Sequence, residues 1–160
     1  MNIQQAEILI NRVQAMQSAP ENTNNEWLFS WFTPKKDFHL SKDNAAEEMN
    51  KIWCKFRAYC KKNDIHYQGF RYITFGRTGS YPVLVTAFFS QKKSIEAISK
   101  ALPLKLKNNG FQLITQTPST NTGALQYIEK YLSKSHPQTA LKFFDKNSND
   151  RIANSLNPLQ

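Results

Sequence analysis

The sequence predicts an α+β fold: an antiparallel sheet of four to five strands in a split β-α-β layout, with helices mainly on one face. Two observations lead there. Segments with apolar residues at helical spacing are separated by short runs rich in β-branched and aromatic residues, and their order is helix, then β-α-β-β-α-β, then helix. A length of 160 residues is enough for one self-supporting core without a metal or disulfide.

Residues 2 to 18 place Ile3, Ala6, Leu9, Ile10, Val13 and Met16 on one stripe, an amphipathic helix ending before Pro20. Pro20 through Glu26 reads as a polar linker, so residues 1–25 form an N-terminal helix and linker. The run Trp27-Leu-Phe-Ser-Trp-Phe-Thr33 is a central strand, buried at least on its Trp27, Phe29 and Trp31 face and ended by Pro34. From Ser41 to about Asn63 a second helix turns Met49, Ile52, Trp53, Phe56 and Cys60 inward and Lys51, Lys55 and Lys62 outward.

Ile65 to Phe75 is a second strand, and Gly76-Arg-Thr-Gly-Ser80 has the composition of a turn. Its antiparallel partner is Pro82 to Phe89, with Pro82 at the start, where a missing donor does least harm. Lys92 to Leu102 is a third helix with Ile95, Ile98 and Leu102 inward, stopped by Pro103. Leu104 to Lys107 is expected as a short edge strand, and Asn108-Asn-Gly110 turns the chain into the strand Phe111 to Thr115. Thr122 is the expected N-cap of a helix running to about Ser135, and a short helix is expected around Thr139 to Lys146. The main α+β domain therefore covers 26–146. The asparagine-rich residues 147–160 read as a flexible tail.

A net charge of +9 and a pI near 9.6 describe a surface that attracts polyanions, because lysine and arginine gain affinity by displacing counterions from a phosphate backbone. The basic excess belongs to the middle of the chain: before Lys35 the only basic side chain is Arg12, set against Glu7, Glu21 and Glu26. Cys54 and Cys60 are six apart in one helix and point to different sides, so they read as reduced thiols of a cytoplasmic protein. No apolar run approaches the roughly 20 residues that span a bilayer, and the N-terminus lacks the pattern of an export signal. His39, His66 and His136 are too scattered to form a local ligand set, so no metal site and no cofactor are expected.

Within the last main helix, Tyr127 and Tyr131 are four residues apart with Lys130 beside them. At about 3.6 residues per turn both phenols share one face. A phenol pair with a cation suits phosphodiester chemistry; the same spacing also suits tyrosines covering the edge of a core.

The segment Tyr127-Ile-Glu-Lys-Tyr-Leu-Ser-Lys134, approached through Thr122-Gly-Ala-Leu125, resembles the two-tyrosine signature of the rolling-circle replication initiators, the Rep proteins of phages and plasmids that carry the HUH nicking fold. The aromatic strand ending in Pro34, the long helix and the strand pair follow the same family's order, and the resemblance covers roughly Glu26 to Ser135. It implies Tyr127 as first nucleophile, Tyr131 as second, and Lys130 as the cation at the scissile phosphate. It also implies a divalent metal held by a His-hydrophobic-His strand. The matching stretch here is Pro82-Val-Leu-Val-Thr-Ala-Phe-Phe89, with Val83 and Val85 at both imidazole positions, and Thr74-Phe-Gly-Arg-Thr78 lacks the family's carboxylate. Valine offers no lone pair.

The expectation is a nucleic-acid-binding protein of Rep-like fold without metal-dependent nicking, its partner single-stranded or hairpin DNA. Lys130, Lys134, Arg71 and Arg77 would meet phosphates, and Tyr72 and Tyr81 would stack on bases. Two alternatives stay open: an active tyrosine-dependent strand-transfer enzyme, and an interaction or inhibitor protein of a mobile element whose N-terminal helix docks on a protein partner.

Overall fold

The computed structural model describes residues 3–34, 42–75, 82–105, 111–118, 120–130, 141–144 and 150–152. In chain order these form α1 (Ile3–Ser18), a single 3-10 turn (Pro20–Asn22), β1 (Asn25–Pro34), α2 (Lys42–Lys62), β2 (Gln68–Phe75), β3 (Pro82–Gln91), α3 (Lys92–Lys105), β4 (Phe111–Gln116), α4 (Asn121–Lys130), β5 (Lys142–Phe144) and β6 (Asp150–Ile152). The strands make one six-stranded sheet in the order β4-β1-β3-β2-β5-β6, and every neighbouring pair is antiparallel. β3 lies between β1 and β2, which is the split β-α-β arrangement. The sheet exceeds the expected four to five strands by the short pair β5 and β6.

The helices do not gather on one face. α2 and α3 cover one side, where Leu28, Phe32, Ile73, Leu84 and Phe88 meet Met49, Trp53, Phe56, Ile98 and Leu102. α1 and α4 cover the other, where Trp27, Phe29, Phe70, Val85 and Phe89 meet Leu9, Val13, Ala124 and Ile128. The correction follows from the pleat. Successive strand residues point to opposite faces, and β1 and β3 are apolar on both, with every residue from Leu84 to Ser90 buried. A one-sided cover would leave Trp27, Phe29 and Phe89 in water, each forfeiting about 1.5–3 kcal/mol of burial. The apolar stripe of α1 is thereby occupied by its own sheet, which argues against α1 as a docking helix.

On the α1 side, Trp27 is stacked between Phe29 and Phe89, with centroids at 5.6 and 4.6 Å. Arg12 of α1 lays its guanidinium over the Phe143 ring at 4.6 Å, and burial lowers the Arg12 pKa from its ordinary value. On the α2 side, Trp53, Phe56, Tyr67, Phe88 and Phe144 form an aromatic cluster. Gly69 of β2 sits opposite both Phe88 and Phe144 in register. Its φ is +142°, and an added Cβ would lie 1.8 Å from the Ala87 carbonyl oxygen, so this strand position requires glycine.

A polar row crosses the same side. Thr86 pairs in register with Ser30 on one flank and Arg71 on the other, and all three are buried. The Ser30 hydroxyl donates to the Thr86 carbonyl at 3.4 Å. Arg71 reaches up into α2, donating to Asn50 Oδ1 at 3.4 Å and lying 5.2 Å from the Trp53 ring centre.

Four local expectations are corrected. α3 continues through Pro103 to Lys105, so Leu104 is helical and not in an edge strand; losing one hydrogen bond in the last turn is tolerated because Ala101 and Leu102 anchor it in the core. The segment expected as a helix around 139–146 contains β5, because Phe143 and Phe144 enter the cores on opposite sides of the sheet and β5 completes the hydrogen bonding of β2. Residues 150–152 pair with β5 where a tail was expected. α4 begins at Asn121, one residue before the expected cap at Thr122. The turns expected at 76–80 and 108–110 lie outside the described residues.

Cys54 is exposed and Cys60 buried, both free. Burial pushes the Cys60 thiol from 9.0 up to about 12. The thiolate is the reactive form, so iodoacetamide at mildly alkaline pH should alkylate Cys54 and spare Cys60 until the protein unfolds, as peptide mass spectrometry would show. The unfolded chain ionises first, so the neutral thiol's contribution to stability is complete below pH 9.0 and fades between there and about 12. In urea melts, Gly69→Ala should lose about 3 kcal/mol, from backbone strain plus a clash with a neighbouring strand.

Candidate functional site

α4 is set by one residue. The Gly123 N–H donates to Thr120 Oγ1 at 2.9 Å and the Ala124 N–H to the Thr120 carbonyl at 3.0 Å, so Thr120 caps the helix. Ala124 and Ile128, one turn apart, are fully buried and hold α4 against the sheet and α1. That fixes the rotation of the helix and turns Tyr127 onto β1. Its ring stacks on Phe29 at 4.9 Å and meets Trp31 edge-on at 5.7 Å, and it stays partly exposed. Lys130 is exposed three residues on, beside Tyr127 on the helix surface. The second tyrosine, Tyr131, lies outside the described residues, as do Lys134, Arg77 and Tyr81.

The two valines share this side of the sheet. Val85 is buried in the apolar cluster against which Val83, Trp31 and Tyr127 also pack, and Val85 is the register partner of Trp31. The positions at which the Rep resemblance implies imidazoles are therefore next to the ring that Tyr127 touches. Their neighbours across β2 are Tyr72 and Thr74, opposite Val85 and Val83. Neutral hydroxyls beside aliphatic groups do not fit a divalent cation, which takes carboxylate, imidazole or thiolate donors. Among the described residues no group of three His, Cys, Asp or Glu side chains could hold one ion.

Two expected contact residues are placed elsewhere. Arg71 points to the α2 side, opposite Tyr127, and is only 6% exposed. Tyr72 is on the Tyr127 side but completely buried, its ring parallel to Phe70. Neither reaches a ligand at this surface. A strand residue alternates between faces, and the sequence does not say which face a helix covers.

Sequence reasoning missed Trp31 and Ile114 as surface residues. Ile114 is the register partner of Trp31 on the edge strand β4 and is 54% exposed; Gln112 and Gln116 flank it, also exposed. Trp31, Tyr127 and Ile114 share this side of the sheet and form an apolar strip, exposed at Ile114 and partly exposed at the two rings, with the exposed side chains of Gln112, Gln116 and Lys130 beside it. The available signal was the polar alternation of Gln112 and Gln116 around Ile114, which marks an exposed sheet face. A polar hollow of about 490 Å³ is lined by Glu26, Trp27, Thr117 and Thr120, not by Tyr127.

In the comparison with known proteins, the replication protein of Haemophilus phage HP1 (strain HP1c1) is 26% identical over 141 aligned residues, covering 77% of this chain and 18% of the phage protein. The chain thus spans less than a fifth of that relative's length. No protein-family model matches the chain, and no solved structure matches it. Among the described residues no helix is long and apolar enough to cross a membrane.

Because Thr120 and not Thr122 caps α4, Thr120→Ala should cost about 1 kcal/mol, whereas Thr122→Ala at an exposed position should stay within about 0.5 kcal/mol. Paired thermal melts would separate the two. Equal losses would place the cap elsewhere.

Proposed function

We propose that this chain is a replication-protein module that binds unpaired nucleic acid, single-stranded or hairpin DNA, on the strip around Tyr127, and that it does not cut DNA by a metal-dependent route. The observation that carries the reading is the seating of Tyr127 on Phe29 and Trp31 beside the exposed face of β4. Bases stack on aromatic rings whatever their identity, at about 1–3 kcal/mol each. A strip with two partly exposed rings and a neighbouring lysine suits an unstacked strand better than a small molecule, which takes an enclosing cavity. The similarity to a phage replication protein supports the same class of partner.

The second half of the proposal rests on residue chemistry. A phenol near pKa 10 attacks a phosphodiester at neutral pH only if it is activated or if the developing charge is neutralised. Where the Rep resemblance implies imidazoles, Val83 and Val85 offer no electron pair. Lys130, three residues on from Tyr127 and exposed, supplies a positive charge that can hold a phosphate. In this reading Tyr127 is a stacking residue, Lys130 a phosphate contact, and Tyr131 lies in the continuation of the same segment.

Fluorescence anisotropy with a labelled hairpin bearing an unpaired arm tests the binding. Trp31→Ala and Tyr127→Ala should each weaken it about tenfold, while Tyr127→Phe, which keeps the ring, should bind as the parent chain does. Unchanged affinity in both alanine variants would remove the proposal. Incubation with the same hairpin and manganese or magnesium should leave no protein-DNA adduct on a denaturing gel. An adduct abolished by Tyr127→Phe would restore the nicking enzyme.

A further inference from the structure

Among the described helices the positive charge is not on the Tyr127 side. α2 carries six basic and three acidic residues and α3 four basic and one acidic, a net of +6 for the pair, whereas α1 and α4 together carry two basic and two acidic residues and are neutral. α2 and α3 lie side by side on the sheet face opposite Tyr127. Two-thirds of the chain's formal +9 is therefore concentrated on one helical layer.

The side chains are arranged as well as abundant. Lys51, Lys55 and Lys62 fall within about 40° of one another around α2, and Lys93 and Lys100 within about 20° around α3, at about 100° per residue. All five are exposed. Among the described residues no ion pair or hydrogen bond engages any of them. The α2 stripe is about 16 Å long at about 1.5 Å per residue. A duplex carries about one charge per 1.7 Å of axis counting both strands, so a segment of that length carries about ten phosphates, of which part face the stripe. The exposed carboxylates Glu47 and Glu96 interrupt the layer without balancing it.

We infer that the outer face of α2 and α3 is a second interaction surface, which docks a nucleic-acid duplex through its phosphate backbone. It reads charge and shape and not sequence, because long lysines make point contacts to phosphates, and the rings of this layer pack on the core, Trp53 and Phe56 fully and Tyr59 partly buried. The surface is separate from the Tyr127 strip and stands or falls without it. If both operate, the protein sits between the paired and unpaired parts of one substrate.

The test uses the full chain and a blunt duplex about two helical turns long, with binding measured over a range of sodium chloride concentrations. The triple variant Lys51→Gln, Lys55→Gln, Lys93→Gln removes three exposed charges without touching the core. The parent should show a steep fall of affinity with salt, and the variant a slope shallower by about 2.7, together with at least tenfold weaker binding at low salt. Trp31→Ala should leave duplex binding unchanged. A triple variant with the parent's slope would overturn the inference. So would a parent chain that binds poly-glutamate of equal charge as tightly as the duplex. Loss of hairpin-arm binding in Trp31→Ala with an unchanged triple variant would sink this surface alone, and the reverse would sink the Tyr127 reading alone.

Discussion

β3 lies between β1 and β2 with its residues from Leu84 to Ser90 all buried, so neither face of the sheet at its centre meets water. Everything else is arranged around that constraint. A strand apolar on both sides must be covered on both sides, and four helices supply two layers: α2 and α3 over Leu84 and Phe88, α1 and α4 over Val85 and Phe89. The packing is dominated by rings. Trp27, Phe29 and Phe89 stack on one face; Trp53, Phe56, Phe88 and Phe144 crowd the other, and Gly69 lets the β2 backbone lie close against the Ala87 carbonyl of β3.

This two-sided burial also decides what remains open. Among the described residues four helices cover the central strands, and Gln112, Ile114 and Gln116 of β4 are exposed on the α4 side. Tyr127 lies on the same side, its face on Phe29 and its edge against Trp31. Its position is set by Thr120 at the start of the helix and by Ala124 and Ile128 beneath it, so the phenol is presented by a rigid element and not by a loop. Val83 and Val85 belong to the same packed surface. Their apolar contacts help to seat α4, a structural use for positions where the family resemblance implies metal ligands.

The electrostatics follow the layers. As described, helices α1 and α4 are together neutral, while α2 and α3 are strongly basic. Among the described helices the positive charge and the exposed aromatic strip therefore lie on opposite faces of the sheet. Arg71 shows the limit of counting charge alone. It is basic and central, yet it is sequestered under α2 against Asn50 and Trp53, and contributes to the core more than to the surface.

The order of elements was legible in the chain because it depends on local pattern: the helical period of Met49, Ile52, Trp53, Phe56 and Cys60, the aromatic run from Trp27, and the β-branched run from Pro82 all specify their own conformation. The helix that carries Tyr127 was legible for the same reason, whereas Val83 and Val85 were singled out by the family resemblance. What local pattern does not contain is the partner of each face. Tertiary structure alone decided that the helices divide between both sides, that Tyr72 is core and Arg71 lies under α2, that Trp31 is partly exposed and Ile114 exposed, and that Phe143 and Phe144 form a strand. The physical reason is that side-chain alternation fixes which residues share a face, while which face is buried depends on helices distant in sequence that compete to cover it.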